Sequence, residues 1–228
     1  MRGEGPGLLA SPGAMDRDAH ETDQDFAQKY TRAGPIGRAL VDGFFRGAGE
    51  LLAHAAPRSV LEVGCGEGFS TRRLRAMLPD EVPLEAVDIE RRLVEATRRR
   101  NPSVPVRQES AYALGAGDRA YDMVICMEVL EHLDRPATAM DELVRVSARW
   151  LLLSVPREPL WRVLNMARGR YLSDLGNTPG HLQHWSSRRF RAFVGERAQI
   201  VRVRHPVPWT QVLAQRSGLA PGPGEPVP

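Results

Sequence analysis

Val60–Leu61–Glu62–Val63–Gly64–Cys65–Gly66–Glu67–Gly68–Phe69–Ser70–Thr71 is the stretch on which the fold turns. A short apolar run enters a turn dense in glycine and leaves as the start of a helical pattern. Glycine lets the backbone bend sharply and lets a ligand come close, while the first turn of the helix offers unpaired N–H groups. A glycine triplet alone is a weak signal. Here it follows the first predicted strand, and Asp88 closes the second, 24 residues beyond Gly64. An acid at that place can accept hydrogen bonds from both hydroxyls of a ribose.

Outward from this loop, apolar runs alternate with helical patterns. Strands are predicted at Ser59 to Val63, Leu84 to Val87, Val104 to Arg107, Met123 to Cys126 and Trp150 to Val155, and helices at Phe69 to Leu78, Arg91 to Arg100 and Ala137 to Ala148. Strands separated by amphipathic helices pair in parallel through right-handed crossovers, which gives a doubly wound α/β fold. A helix over Ile36 to Ala55 precedes the first strand. Later come a helix at Ser186 to Glu196, a strand at Gln199 to Arg204 and an antiparallel edge strand at Pro208 to Gln215. The sheet is thus expected to be seven-stranded and mostly parallel, flanked by helices, with its last strand antiparallel.

The 228 residues are 42% hydrophobic and 26% charged, enough for one core and too apolar for wholesale disorder. Residues 1–24 and 216–228 are Gly- and Pro-rich without apolar periodicity and are expected to be disordered tails, with Met15 an alternative start to Met1. The folded body is then 25–215, interrupted by a substrate-side insertion or lid at 156–184. No run approaches a membrane span, and no secretory signal is recognisable. Two cysteines, Cys65 and Cys126, make no disulfide framework, so a reduced cytoplasmic setting is expected. The net charge is +3, and Lys29 is the single lysine beside 30 arginines. That skew fits coding bias. The arginines are dispersed rather than interleaved with aromatics, so they read as solvated helix faces and nucleic acid is not the expected partner.

The nicotinamide fingerprint GxGxxG places its third glycine three positions after the second; this chain reads GxGxG, preceded by Glu62. The resulting E-x-G-x-G-x-G pattern resembles the first motif of class I S-adenosylmethionine-dependent methyltransferases. Ala86–Val87–Asp88–Ile89 resembles their second motif, and Tyr121–Asp122–Met123–Val124–Ile125–Cys126 their fourth strand. The resemblance covers about residues 55–205. It implies a Rossmann-like methyltransferase domain with S-adenosylmethionine as cofactor. Gly64, Gly66 and Gly68, with Cys65 in the same loop, would lie against the methionine part, and Glu62 beneath them would organise the turn. Asp88 would hold the ribose and Ile89 would pack on adenine. Ser110–Ala111, with Glu109 before it, stands where the family often has an aspartate and a small residue reaching the adenine amino group, so that contact departs from the pattern. Met127 matches a cofactor-contacting position. Plain core packing is the alternative for Ile89 and Met127, and small-residue packing for Cys65 and Cys126.

Met127–Glu128–Val129–Leu130–Glu131–His132–Leu133 resembles a segment of the ubiquinone-pathway O-methyltransferases and of the small-RNA 3′-terminal 2′-O-methyltransferases, in which these side chains are associated with a divalent metal. A hydroxyl is a poor nucleophile until its proton leaves, and a metal lowers that pKa. Glu128, Glu131, His132 and His181 are the candidate ligands, for Mg²⁺ or another divalent ion. Without a metal, the glutamates would cap the short helix that follows, and His132, His181 or His184 could serve as general base. His181 and His184 are spaced to share one helix face. Trp161, Met166, Tyr171 and Trp185 either wall a substrate pocket or pack the insertion onto the body, and Tyr30 is a further candidate to close over the cofactor.

These observations together point to O-methylation of a small-molecule metabolite or natural product by direct in-line transfer, in a monomer or homodimer. The rival readings are an RNA 3′-terminal ribose 2′-O-methyltransferase, a non-catalytic cofactor-binding scaffold and a nicotinamide oxidoreductase.

Overall fold

The structure is a computed structural model and describes residues 34–167, 174–178 and 180–217. The expectations for residues 1–24, for Tyr30 and for Tyr171 lie outside the described residues.

Chain order gives α1 (Pro35–Ala55), β1 (Val60–Val63), α2 (Phe69–Met77), β2 (Leu84–Asp88), α3 (Arg91–Arg100), β3 (Val106–Gln108) and β4 (Tyr121–Met127). A one-turn 3₁₀ helix at Leu130–His132 follows, then α4 (Pro136–Val146), β5 (Ser147–Pro156), α5 (Leu160–Ala167), α6 (Ser187–Gly195), β6 (Ala198–Arg204) and β7 (Trp209–Arg216). The seven strands form one sheet in the order β3-β2-β1-β4-β5-β7-β6. Pairing is parallel from β3 through β5 and antiparallel where β7 meets both β5 and β6.

Strand alternation builds two cores. Met123, Ile125, Trp150 and Leu152 face a layer containing Phe44, Phe45, Leu51, Leu74 and Val94 of α1, α2 and α3. Val124, Cys126, Leu151 and Leu153 face Leu143, Val146, Phe190 and Val194 of α4 and α6. Successive strand residues point to opposite faces, so central strands buried on both sides read as unbroken apolar runs. Helix ends follow local chemistry. Pro35 opens α1, Ala56 closes it with φ 41 and its N–H on Leu52 O, and Ser186 caps α6 by accepting the Arg189 N–H at 3.2 Å.

Three expectations are corrected. The segment at Pro208 to Gln215 is not an edge strand: β7 lies between β5 and β6 and is buried along nearly its whole length, whereas β6 takes the edge and is mostly half-exposed. It extends to Arg216, one residue into the expected tail. The helix expected to reach Ala148 ends at Val146, because Ser147 already pairs with Tyr121 as the first residue of β5. Within the insertion, Leu160–Ala167 forms a helix that the Pro- and Gly-rich reading did not anticipate.

Candidate active site

β1, β2 and β4 end at one rim of the sheet, and a cavity of about 460 Å³ opens there. Ligand sites in open α/β sheets lie beyond the carboxyl ends of the strands, and the volume falls within the range of small-molecule pockets. One end of the cavity is lined by Gly64, Gly66 and Asp88, the other by Glu128, His132 and His181.

At the first end, the turn is held in a conformation that only glycine adopts without strain. Gly64, Gly66 and Gly68 have φ of 80°, 54° and 82°. A Cβ on Gly64 would meet Val129 Cγ2 at 2.3 Å, so the loop and the segment after β4 are in contact. Asp88 ties the turn to β2: its Oδ2 accepts the Gly66 N–H at 2.8 Å and its Oδ1 the Glu90 N–H at 3.0 Å. Burial raises the Asp88 pKa, and these backbone donors oppose the rise. Below the loop Glu62, 2% exposed, accepts a hydrogen bond from Thr71 Oγ1 at 2.6 Å. Its burial pushes the carboxyl up to about 7 against the pull of Ser70 and Thr71.

The loop is also gripped from α3, which sequence reading missed. Thr97 Oγ1 donates to Gly66 O at 2.7 Å, Arg100 to Glu67 O, and Asn101 Nδ2 to Gly68 O at 2.9 Å. Three successive loop carbonyls each receive a side chain from α3 or from Asn101, the residue that caps its end. The signal was present in the sequence: Thr97 and Asn101 are polar residues in register with the apolar Leu93 and Val94, and both are buried.

The other predicted cofactor residues divide. Ile89, 61% exposed, lines the cavity with Ser110 and Ala111, so core packing does not describe it. Met127 and Cys65 are buried in the core on the α1 side and are not among the lining residues; neither are Glu62 and Gly68. Burial pushes the Cys65 and Cys126 thiols well up, away from reactivity. Glu109 accepts from Arg107 Nε at 2.7 Å and from the Gly115 N–H at 3.0 Å, which orders the loop bearing Ser110. Tyr112 also lines the cavity and donates to Asp134 Oδ1 at 2.5 Å.

At the second end, Glu131, His132 and His181 offer ligand atoms that all lie within 4.8 Å of one another. The His132 and His181 rings stand 4.9 Å apart, and Trp161 stacks behind His181 at 6.1 Å. His132 Nδ1 is 3.0 Å from Gly180 O. A carbonyl only accepts, so Nδ1 carries the proton and in the neutral ring Nε2 carries the lone pair. The Glu131 carbonyl receives the N–H groups of Leu182 at 2.8 Å and Gln183 at 2.9 Å, which docks the His181 segment against the 3₁₀ turn.

Two predicted members stand apart. Glu128 has φ 60, and its carboxylate turns to Ser154 Oγ at 2.8 Å and Trp209 Nε1 at 2.6 Å, leaving it outside the cluster. His184 bonds Asn177 Oδ1 at 2.9 Å, does not line the cavity, and lies in irregular backbone rather than sharing a helix face with His181. Val129, not a glutamate, occupies the N-cap of the 3₁₀ turn, and Glu131 lies within the turn. Trp161, Met166 and Trp185 are not among the residues that line the cavity. Trp161 is buried and donates to Thr178 Oγ1 at 2.9 Å, and Trp185 packs on Phe193 and Phe190 of α6; the insertion reaches the cavity through Thr178, Gly180 and His181 instead.

A family profile described as a methyltransferase domain matches residues 61–149. A protein of Mycobacterium tuberculosis named as a probable S-adenosylmethionine-dependent methyltransferase is 32% identical over 108 residues, covering 46% of this chain and 38% of the relative. A ubiquinone biosynthesis O-methyltransferase of Albidiferax ferrireducens is 30% identical over 131 residues, covering 54% of this chain and 52% of the relative. The chain thus spans less than two thirds of the length of either relative. Among solved structures, magnesium protoporphyrin IX methyltransferase of Synechocystis with bound S-adenosylhomocysteine superposes with a TM-score of 0.64 at 17% identity, over 89% of this chain and 99% of that one, a likeness of fold. Residues 61–149 thus match a methyltransferase domain, and this part of the chain is similar to proteins named as S-adenosylmethionine-dependent methyltransferases.

Proposed function

We propose that this chain binds S-adenosylmethionine across the glycine loop and Asp88 and transfers its methyl group to an oxygen of a small-molecule acceptor. The observation that carries the reading is that one continuous cavity joins the Gly64–Gly66–Asp88 end to the His132–His181 end. The acceptor oxygen would attack the methyl carbon in line with the sulfur. The new C–O bond takes its electron pair from the oxygen, and the breaking C–S bond leaves its pair on sulfur. The acceptor proton would pass to His132 Nε2, whose lone pair is set by the Nδ1 contact to Gly180 O. Glu131, buried and 4.0 Å from that nitrogen, would stabilise the imidazolium that forms. Catalysis is then mainly orientation and exclusion of water.

A metal is the second reading, favoured by the convergence of Glu131, His132 and His181. Two imidazoles and one carboxylate are a donor set that suits a divalent ion, and these three residues would hold it. A bound ion would lower the pKa of the acceptor hydroxyl. Glu128, engaged with Ser154 and Trp209, would not join them.

Calorimetric titration with S-adenosylhomocysteine tests the cofactor site, and absence of saturable binding would overturn it. An acceptor screen following release of the same product, with Mg²⁺ or Mn²⁺ and with chelator, tests the chemistry. Glu131→Ala is expected to retain cofactor affinity and to lose turnover. Equal rates with metal and with chelator would remove the metal reading and leave the imidazole as base.

A further inference from the structure

A second concavity, about 660 Å³ in volume, lies between α2 and α3 on the far side of the glycine loop. It is lined by Arg72, Arg92, Arg99 and Arg100 with Ala96 and Glu67. Positions 92, 96, 99 and 100 form one face of α3, with the small Ala96 at its centre leaving room between the long side chains. Elsewhere on these helices the arginines are engaged with acids or carbonyls. Arg73 pairs with Asp42, Arg91 with Glu95, and Arg98 donates to Val106 O. Among the described residues the only carboxylate in the groove is Glu67, 4.0 Å from Arg100, and neither Arg72 nor Arg99 makes an ion pair. Setting Arg72, Arg99 and Arg100 around one carboxylate leaves an excess of positive charge even with Arg92 left out of the count, which a multivalent anion would neutralise. Guanidinium forks match the oxygens of phosphate and carboxylate groups in paired hydrogen bonds.

The groove is physically joined to the cofactor cavity. Glu67 lines both. Arg100 donates to the Glu67 carbonyl, and its guanidinium sits 3.7 Å from the Phe69 ring centroid at the start of α2. Arg100 therefore belongs at once to the groove and to the clamp that Thr97, Arg100 and Asn101 place on the loop carbonyls.

We propose that the groove between α2 and α3 is a binding site for a small multivalent oxyanion such as a pyrophosphate group, and that Arg100 links its occupancy to the glycine loop. An anion drawing Arg100 away from Glu67 loosens the loop and lowers cofactor affinity, and by thermodynamic reciprocity the cofactor lowers affinity for the anion. Among the described residues the groove lining contains no aromatic on which a base would stack, which sets it apart from a single-stranded nucleic-acid surface. The linkage rests on the cofactor reading above; the anion site itself does not.

Titration of the full chain with sodium pyrophosphate at fixed ionic strength tests the site. Saturable one-to-one binding is expected, weakened roughly tenfold or more in the double variant Arg72→Ala, Arg99→Ala, because charge-assisted hydrogen bonds are lost. Those two side chains are exposed and take no part in the loop clamp, so the variant should keep the melting temperature of the parent. No saturable binding, or equal affinity in parent and variant, overturns the site. An oligoribonucleotide that pyrophosphate fails to displace from the groove would overturn the small-anion assignment. The linkage is read from the S-adenosylhomocysteine Kd with and without saturating pyrophosphate. A rise of about fivefold is expected in the parent and none in the double variant, and an unchanged Kd in the parent overturns it. Titration with S-adenosylhomocysteine alone reports on the cofactor site, so failure of that reading is seen separately.

Discussion

Asp88 holds two backbone N–H groups at once, Gly66's on Oδ2 and Glu90's on Oδ1, and still lines the cavity. It thereby fixes the loop, and its remaining lone pairs are the ones that the proposed cofactor site would turn to a ribose. Asp88→Ala removes both functions. Since hydrogen bonds to a charged group contribute about 1.5–3 kcal/mol each, S-adenosylhomocysteine affinity should fall by roughly one to two orders of magnitude in calorimetry; unchanged affinity would sink the assignment. Glu62 answers to pH. Its folded pKa is raised from 4.5 to about 7, so below the lower value folded and unfolded chains both hold the proton and burial carries no charge penalty. Between pH 4.5 and about 7 the unfolded chain releases the proton first, and stability falls. Glu62→Gln lacks this slope. Denaturant unfolding across that window should show the parent losing on the order of 3 kcal/mol relative to the variant, then running parallel to it at higher pH. A constant difference would contradict the account.

At the scale of elements, the clamp from α3 onto the loop explains how a helix rich in charge, packed against β2 and β3, also holds the turn that follows β1. Thr97→Val keeps the shape of the side chain and deletes the donor to Gly66 O. Unfolding free energy should fall by about 1–2 kcal/mol, and S-adenosylhomocysteine affinity should fall with it. If neither moves, the contact is idle. The same element shows what the sequence made legible. Glycine loop, Asp88 and the alternation of strands and helices were readable because their spacing is local and periodic. The clamp joins residues 31 to 33 positions apart, so only the presence of polar groups on the apolar face of α3 hinted at it. The run from Glu128 to His132 was readable as chemistry but not as geometry. The left-handed backbone at Glu128 turns its carboxylate to Ser154 and Trp209, whereas Glu131 and His132, in the next turn, meet a histidine 49 or 50 positions along the chain. Residue types alone do not show which way a side chain leaves such a bend.

For the whole molecule, the order of strands was the least legible feature. A segment reading Trp-Thr-Gln-Val-Leu-Ala-Gln carries too much polar character to announce a buried central strand, yet Thr210, Gln211 and Gln215 are all buried. Gln211 Nε2 spends its donor on Phe44 O of α1, across the packed layer. Antiparallel pairing also needs no helical crossover from β6, only the short turn that Pro206 and Pro208 occupy. Ending the chain after His205 would remove β7 while leaving every residue of the proposed cofactor cavity in place. That truncation should elute as aggregate in size-exclusion chromatography and bind a hydrophobic dye. A monodisperse, cofactor-binding product would show that β7 is dispensable.

The placement of β7 also has a consequence for synthesis. A ribosome delivers β5 long before β7, so the apolar edge Leu151 to Val155 waits unpaired while some fifty further residues are made. Until residue 216 emerges, the nascent sheet has an adhesive margin and its future edge strand has nothing to lie against. Holding that margin away from neighbouring nascent chains is a task for chaperones, and pauses in translation downstream of β5 would lengthen the exposure.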